Sequence, residues 1–184
     1  LKKETSLPDL VVSPGQIVID IGINVINSGA DSSLAKKIVG DVDFENVKIV
    51  LDNSGSMYGS EEKKYHPISV AEAVANVLKY LSNESEIISV PNEGSFLSEV
   101  DGESNIADGI LKALGDLNLE KDNLIIIISD AYENAMAGLS NQILIAFKKK
   151  IDKKEKTIII HLNPVFAPEA EDIKKLSEVI QTFG

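Results

Sequence analysis

The feature that most constrains this chain is a pair of short, continuously apolar runs set among helical patterns. Leu124 to Ser129 carries four consecutive isoleucines, and Thr157 to Leu162 carries three more. A strand with one wet face alternates apolar and polar residues. These runs do not alternate, so both of their faces are expected to be buried, as in a parallel sheet covered by helices. Val47 to Leu51 is a short, largely apolar run that ends at Asp52.

Between the runs the apolar spacing becomes helical. Pro67 to Leu81 places Ile68, Ala71, Val74, Ala75, Leu78 and Leu81 on one face, and Pro67 suits a first helical position, where its missing N–H costs nothing. Glu86 to Val90 and Ser95 to Val100 read as short strands split by a Pro-Asn-Glu-Gly turn. Asn105 to Leu114 and Leu139 to Ile151 read as helices. The second ends in Lys148, Lys149 and Lys150, which suit the negative end of the helix dipole. Pro168 to Thr182 is expected to be a last amphipathic helix. This alternation predicts an α/β fold over residues 46–184: an open, doubly wound, mostly parallel, Rossmann-like sheet with helices on both faces.

Residues 1–45 differ. Gln16 to Asn27 alternates Ile17, Ile19, Ile21, Ile23 and Val25 with smaller or polar residues, the pattern of a half-buried strand. Asn27 to Asp31 is a turn, and Ser33 to Val39 fits a short helix or a second strand. The segment is expected to be an N-terminal β extension docked on the domain at 46–184. The chain opens on Leu1 without a charged and apolar leader, which suggests one domain of a longer protein or a processed product.

Composition narrows the function classes. The chain has 184 residues, and 18 Lys and Arg against 29 Asp and Glu give a formal net charge of −11. That balance argues against broad binding to nucleic acid or anionic membranes, which needs clustered cations. No apolar stretch approaches the roughly 20 residues of a membrane span. Absent cysteine removes thiolate zinc sites, disulfides and a cysteine nucleophile, and fits a reducing compartment, with a cytoplasmic one favoured.

Ligands of open parallel sheets gather at the carboxyl ends of the strands. The first core strand is followed there by Asp52-Asn53-Ser54-Gly55-Ser56-Met57, and the 124–129 strand by Asp130. Between them Gly102-Glu103-Ser104-Asn105 opens a helix. Two carboxylates and three hydroxyls therefore converge on one edge. All are hard oxygen donors, which suit Mg²⁺, or Mn²⁺ or Ca²⁺, rather than zinc. Gly55 is expected to relieve the turn by taking a positive φ.

The run Val-Lys-Ile-Val-Leu-Asp-Asn-Ser-Gly-Ser-Met, with its Asp52-x-Ser54-x-Ser56 core, resembles the metal-ion-dependent adhesion site (MIDAS) of von Willebrand factor A (VWA) domains. The resemblance covers residues 47–184. It implies a doubly wound sheet with one short antiparallel edge strand, for which Ser95 to Val100 is the candidate. It also implies a metal site of Asp52, Ser54, Ser56, Ser104 and Asp130, with Ser104 where threonine is usual. Ala131 stands where glycine usually follows the second aspartate. The implied function is a non-enzymatic protein-binding module in which bound Mg²⁺ is completed by a partner's Asp or Glu. More loosely, Asp130 to Gly138 with the Lys-rich helix behind it is similar to the VWA-like domain of Ro-type (TROVE) RNA-binding proteins. Those proteins hold RNA mainly on a separate helical-repeat ring, which this chain lacks, so RNA binding does not carry over. Intracellular domains of this kind often serve AAA+ ATPases or ribonucleoproteins, which makes an adaptor within a longer parent chain the second reading.

A metal-dependent phosphohydrolase is the third reading. It lacks a lysine partner in the strand-end loops and an evident base. No glycine is followed by lysine, so there is no P-loop, and there is no Gly-x-Ser-x-Gly elbow. His66 and His161 have no ligand-spaced neighbours and read as structural. Lys148 to Lys156 reads as a solvated helix end and loop.

Overall fold

Five parallel strands form one sheet in the order β2-β1-β3-β4-β5 in the computed structural model of the chain. The structure describes residues 44–58, 67–80, 82–91, 105–133, 136–165 and 175–183. The strands are β1 (Phe44–Asp52), β2 (Ser82–Val90), β3 (Asn123–Ile128), β4 (Thr157–Leu162) and β5 (Gln181–Phe183). Helices α1 (Pro67–Tyr80), α2 (Ile106–Gly115) and α3 (Leu139–Lys150) fall within one residue of the bounds expected from spacing. The expected strand at Ser95 to Val100 and residues 1–43 of the expected extension at 1–45 lie outside the described residues, as do His66 and Ser104, while Phe44 and Glu45, assigned to that extension, begin β1.

Period-two alternation sorts the strand residues onto two cores. The exception is β4, which is not buried on both faces as expected: Ile158 is 62% exposed and Ile160 half-buried, because α1 covers β1 and β3 and does not reach over β4. Val47, Ile49 and Leu51 of β1 and Ile126 and Ile128 of β3 pack with Ile68, Ala71, Val74 and Ala75 of α1. On the opposite face, Val50, Ile88, Val90, Ile125, Ile127 and Ile159 pack with Ile106, Ile110 and Ala113 of α2 and with Leu144 and Phe147 of α3. Helices therefore cover both faces of an α/β, Rossmann-like sheet, as predicted. Gly109 lets α2 lie close, since a Cβ there would meet Val50 Cγ1 at 2.7 Å and Val90 Cγ1 at 2.8 Å.

Two further expectations need correction. Pro168 to Thr182 is not one helix: residues 175–180 are turns and bends, and Gln181–Phe183 is β5, in parallel register with Ile160–Leu162 of β4. Apolar spacing at 176 and 180 fitted a helix, but the pairing with β4 wins, helped by Thr182 Oγ1 against His161 Nδ1 at 3.1 Å. Gly55 does not take a positive φ. It opens a 3₁₀ turn, Gly55–Tyr58, and Gly138 is the left-handed glycine among the described residues.

The N-terminal end of β4 is closed by side chains. Buried Asp152 accepts the N–H groups of Lys156 (2.8 Å) and Thr157 (3.3 Å), and Lys148 Nζ reaches Asp152 at 2.9 Å and also the Thr157 carbonyl. Lys148 thus ties α3 to β4, a role beyond the solvated helix end expected of it. His161 is fully buried between Ser129 O (3.0 Å from Nε2) and Thr182. Burial lowers its pKa from 6.5 to about 4, against the pull of the Ser129 bond, so it is a neutral structural bridge.

Candidate functional site at the carboxyl ends of β1 and β3

The chain leaves β1 in one direction to form β2, then crosses back over β1 to form β3 on the other side. The direction of winding reverses between β1 and β3. In open α/β sheets this reversal opens a crevice beyond the carboxyl ends of the two strands. Asp52 ends β1, and Asp130 follows β3 by two residues, with Leu51 paired to Ile128 just beneath them.

Asp52 has no solvent exposure, and Asp130 is 4% exposed. The loop after β1 turns tightly because Asn53 N–H donates to Val90 O at 2.7 Å, Ser54 N–H donates to Asp52 Oδ1 at 2.9 Å, and Met57 N–H donates to Ser54 O at 3.1 Å. Met57 anchors the turn in the core beneath. This folding brings the hydroxyls of Ser54 and Ser56 to 2.9 Å from each other. The alternate spacing Asp-x-Ser-x-Ser thus does gather its three polar side chains, through an Asx-type turn continued as a 3₁₀ turn rather than through a left-handed glycine.

The second oxygen of Asp52, Oδ2, is buried and has no hydrogen-bond partner among the described residues. Burial raises the Asp52 pKa from 3.8 to about 6. Hydrogen bonding from Ser54 opposes the rise and the nearby charge of Asp130 adds to it. A carboxylate that is uncharged on average only below pH 6, with a free oxygen inside the protein, lacks among the described residues the positive partner that buried charges ordinarily have.

The loop after β3 is strained where the sequence pattern departs from glycine. Ala131 adopts φ 66, in the left-handed region, while its N–H donates to Ser129 Oγ at 3.0 Å and Tyr132 N–H donates to Asp130 Oδ1 at 3.1 Å. Glu133 has a structural task that sequence spacing did not reveal: its carboxylate accepts Gly138 N–H at 2.7 Å and Ser140 N–H at 3.1 Å, capping the amino end of α3.

Asp52, Ser54, Ser56 and Asp130 are therefore brought to one strand-end crevice, while Ser104 falls outside the described residues. Asn105, next to it, is described and is 2% exposed; neither of its carboxamide atoms has a partner among the described residues. Sequence reasoning took Asn105 only as a helix start. Among the described residues no three Asp, Glu or His side chains cluster as a metal site, so any cation here would depend on hydroxyl and amide oxygens beside two carboxylates. Comparison of the chain with protein-family models, with curated proteins and with solved structures finds no match.

Proposed function

We propose that the chain is a divalent-cation-dependent protein-binding module, with the cation held at the carboxyl ends of β1 and β3 and completed by an acidic side chain of a partner protein. The observation that carries this reading is the free, buried Oδ2 of Asp52 beside a converged pair of serine hydroxyls. Asp52 and Asp130 supply two negative charges, Ser54 and Ser56 supply neutral oxygens, and Ser104 is the further hydroxyl expected from the MIDAS resemblance. This donor set fits Mg²⁺, with Mn²⁺ or Ca²⁺ as substitutes, because it is all oxygen and contains no soft ligand. The bound ion would supply a positive centre that attracts a carboxylate from outside. Two protein carboxylates leave little residual charge on a divalent ion, so an incoming Asp or Glu gains a strong bond without being repelled.

The chain's own residues prepare that surface. The Asx-type turn fixes one oxygen of Asp52 on Ser54 N–H and leaves the other free. The Asn53 bond to Val90 O ties the loop to β2, so the donors sit on a rigid sheet rather than a swinging segment. Immobilised protein should capture its partner in Mg²⁺ and release it in EDTA, and the Asp52→Ala variant should capture none. Capture unchanged by both EDTA and Asp52→Ala would sink the reading.

A further inference from the structure

Asn105 is the N-cap residue of α2, with φ −114 and ψ 82, but its side chain makes no capping bond. An N-cap asparagine ordinarily accepts an N–H from the first turn of its own helix. Here Asp108 N–H is bound instead by the backbone carbonyl of Asn105, at 3.1 Å. The carboxamide makes no bond to its helix, yet Asn105 is 2% exposed, so it does not reach solvent either. Leaving a buried amide without a partner is costly, which makes its orientation unexpected unless something faces it.

Among the described residues the fold places one other unpartnered polar atom at its level. Val50 belongs to the core on the α2 side of the sheet, and Asp52 lies two residues on, hence on the same side. Gly109 of α2 packs directly on Val50 and Val90. Because α2 returns the chain from the carboxyl end of β2 to the start of parallel β3, it runs opposite to the strands. Moving from Gly109 to Asn105 rises about 6 Å toward the carboxyl edge. Moving from Val50 to Asp52 rises about the same. Asn105 and Asp52 therefore reach the same level on the same face, and each carries an unpartnered buried polar atom there: a donor on Asn105 Nδ2 and an acceptor on Asp52 Oδ2.

We propose that Asn105 is a positioning residue of the site, its carboxamide facing Asp52 and aligning the free carboxylate oxygen, through one water, toward the bound cation. This rests on the cation-site reading above and extends the site from the strand-end loops to the amino end of α2. Asn105 also selects charge: a third carboxylate at this position would stand against Asp52.

The test is a double-mutant cycle of Asn105→Asp and Asp52→Asn, read by urea unfolding at pH 7.5 in EDTA and then in Mg²⁺. Aspartate caps a helix as well as asparagine does, so a residue that only starts α2 would tolerate the exchange. The proposal expects Asn105→Asp to raise the unfolding equilibrium constant about tenfold in EDTA, and expects most of that loss to disappear in the Asp52→Asn background. It also expects Mg²⁺ to stabilise Asn105→Asp more than the unaltered chain. An Asn105→Asp loss of equal size in both backgrounds, or no loss at all, overturns it. Should Asn105→Asp alone not fold in EDTA, folding of the double variant supports the proposal and its failure to fold overturns it. The cation reading fails separately: it falls if Mg²⁺ leaves the unaltered chain unmoved, whereas the coupling between residues 52 and 105 is decided in EDTA.

Discussion

Replacing Asp52 by asparagine should make the cation-free protein more stable at neutral pH. The folded-state pKa of Asp52 lies above its unfolded value, about 6 against 3.8. The folded protein thus holds the proton to a higher pH than the unfolded chain does. The resulting penalty is absent below pH 3.8, grows between pH 3.8 and 6, and is complete above that. At 1.36 kcal/mol per pH unit it reaches about 3 kcal/mol at pH 7. Asparagine removes the charge and keeps the carbonyl oxygen that accepts Ser54 N–H. Its new Nδ2 group stands where Oδ2 had no partner, at a cost of about 1–2 kcal/mol. The net gain is about 1–2 kcal/mol in EDTA at pH 7.5, vanishing or reversing near pH 4. Urea unfolding of both proteins at these two pH values measures it. Adding 10 mM Mg²⁺, a concentration on the order of what saturates a weak site, should stabilise the unaltered chain and leave Asp52→Asn unmoved. If Asp52→Asn is less stable than the unaltered chain in EDTA at pH 7.5, Asp52 is a satisfied structural carboxylate and the reasoning is wrong.

Three further outcomes are expected. The folded pKa of His161 is depressed from 6.5 to about 4, so its contribution is intact above pH 6.5 and is lost as pH falls toward 4, by about 3 kcal/mol; because Asp52 gains over nearly the same window, the Asp52→Asn variant should show a steeper fall in melting temperature between pH 6.5 and 4 than the unaltered chain. Gly109→Ala should destabilise by about 1–3 kcal/mol in chemical denaturation despite alanine's better helix propensity, since its Cβ would lie under 3 Å from Val50 and Val90; a neutral result would show that α2 can lift off the sheet. Asp152→Ala should cost about 3 kcal/mol, because it strands Lys148 and frees the N–H groups of Lys156 and Thr157 at the start of β4; near-neutral unfolding data would remove this closure from the account.

How much of this was legible in the sequence follows from which signals are local. The apolar runs at 47–51, 124–129 and 157–162 identified the three inner strands because inner strands keep few polar positions, although Lys48 and His161 interrupt two of the runs and Ile158 of β4 is left 62% exposed. β2 begins at Ser82, four residues before the expected Glu86, since Ser82, Asn83, Glu84 and Ser85 carry the polar character of an outer strand while still pairing with β1. β5 was read as helix because three residues hold no periodicity, and only the pairing with β4 makes them a strand. At the site, Asp52, Ser54, Ser56 and Asp130 were legible from motif and strand-end position. The role of Asn105 was not, for an N-cap asparagine looks the same in sequence whether its carboxamide folds back on the helix or across to Asp52. The left-handed Ala131 was foreshadowed only as a residue standing in glycine's place.

The central claim is that the carboxyl ends of β1 and β3 form a divalent-cation site. Anomalous diffraction from crystals grown with Mn²⁺ tests it most directly. The expected result is a single strong peak within coordination distance of Ser54, Ser56 and the Oδ2 side of Asp52, absent from Asp52→Asn crystals. A map with no peak in that crevice, while the loop keeps the geometry described, would contradict it.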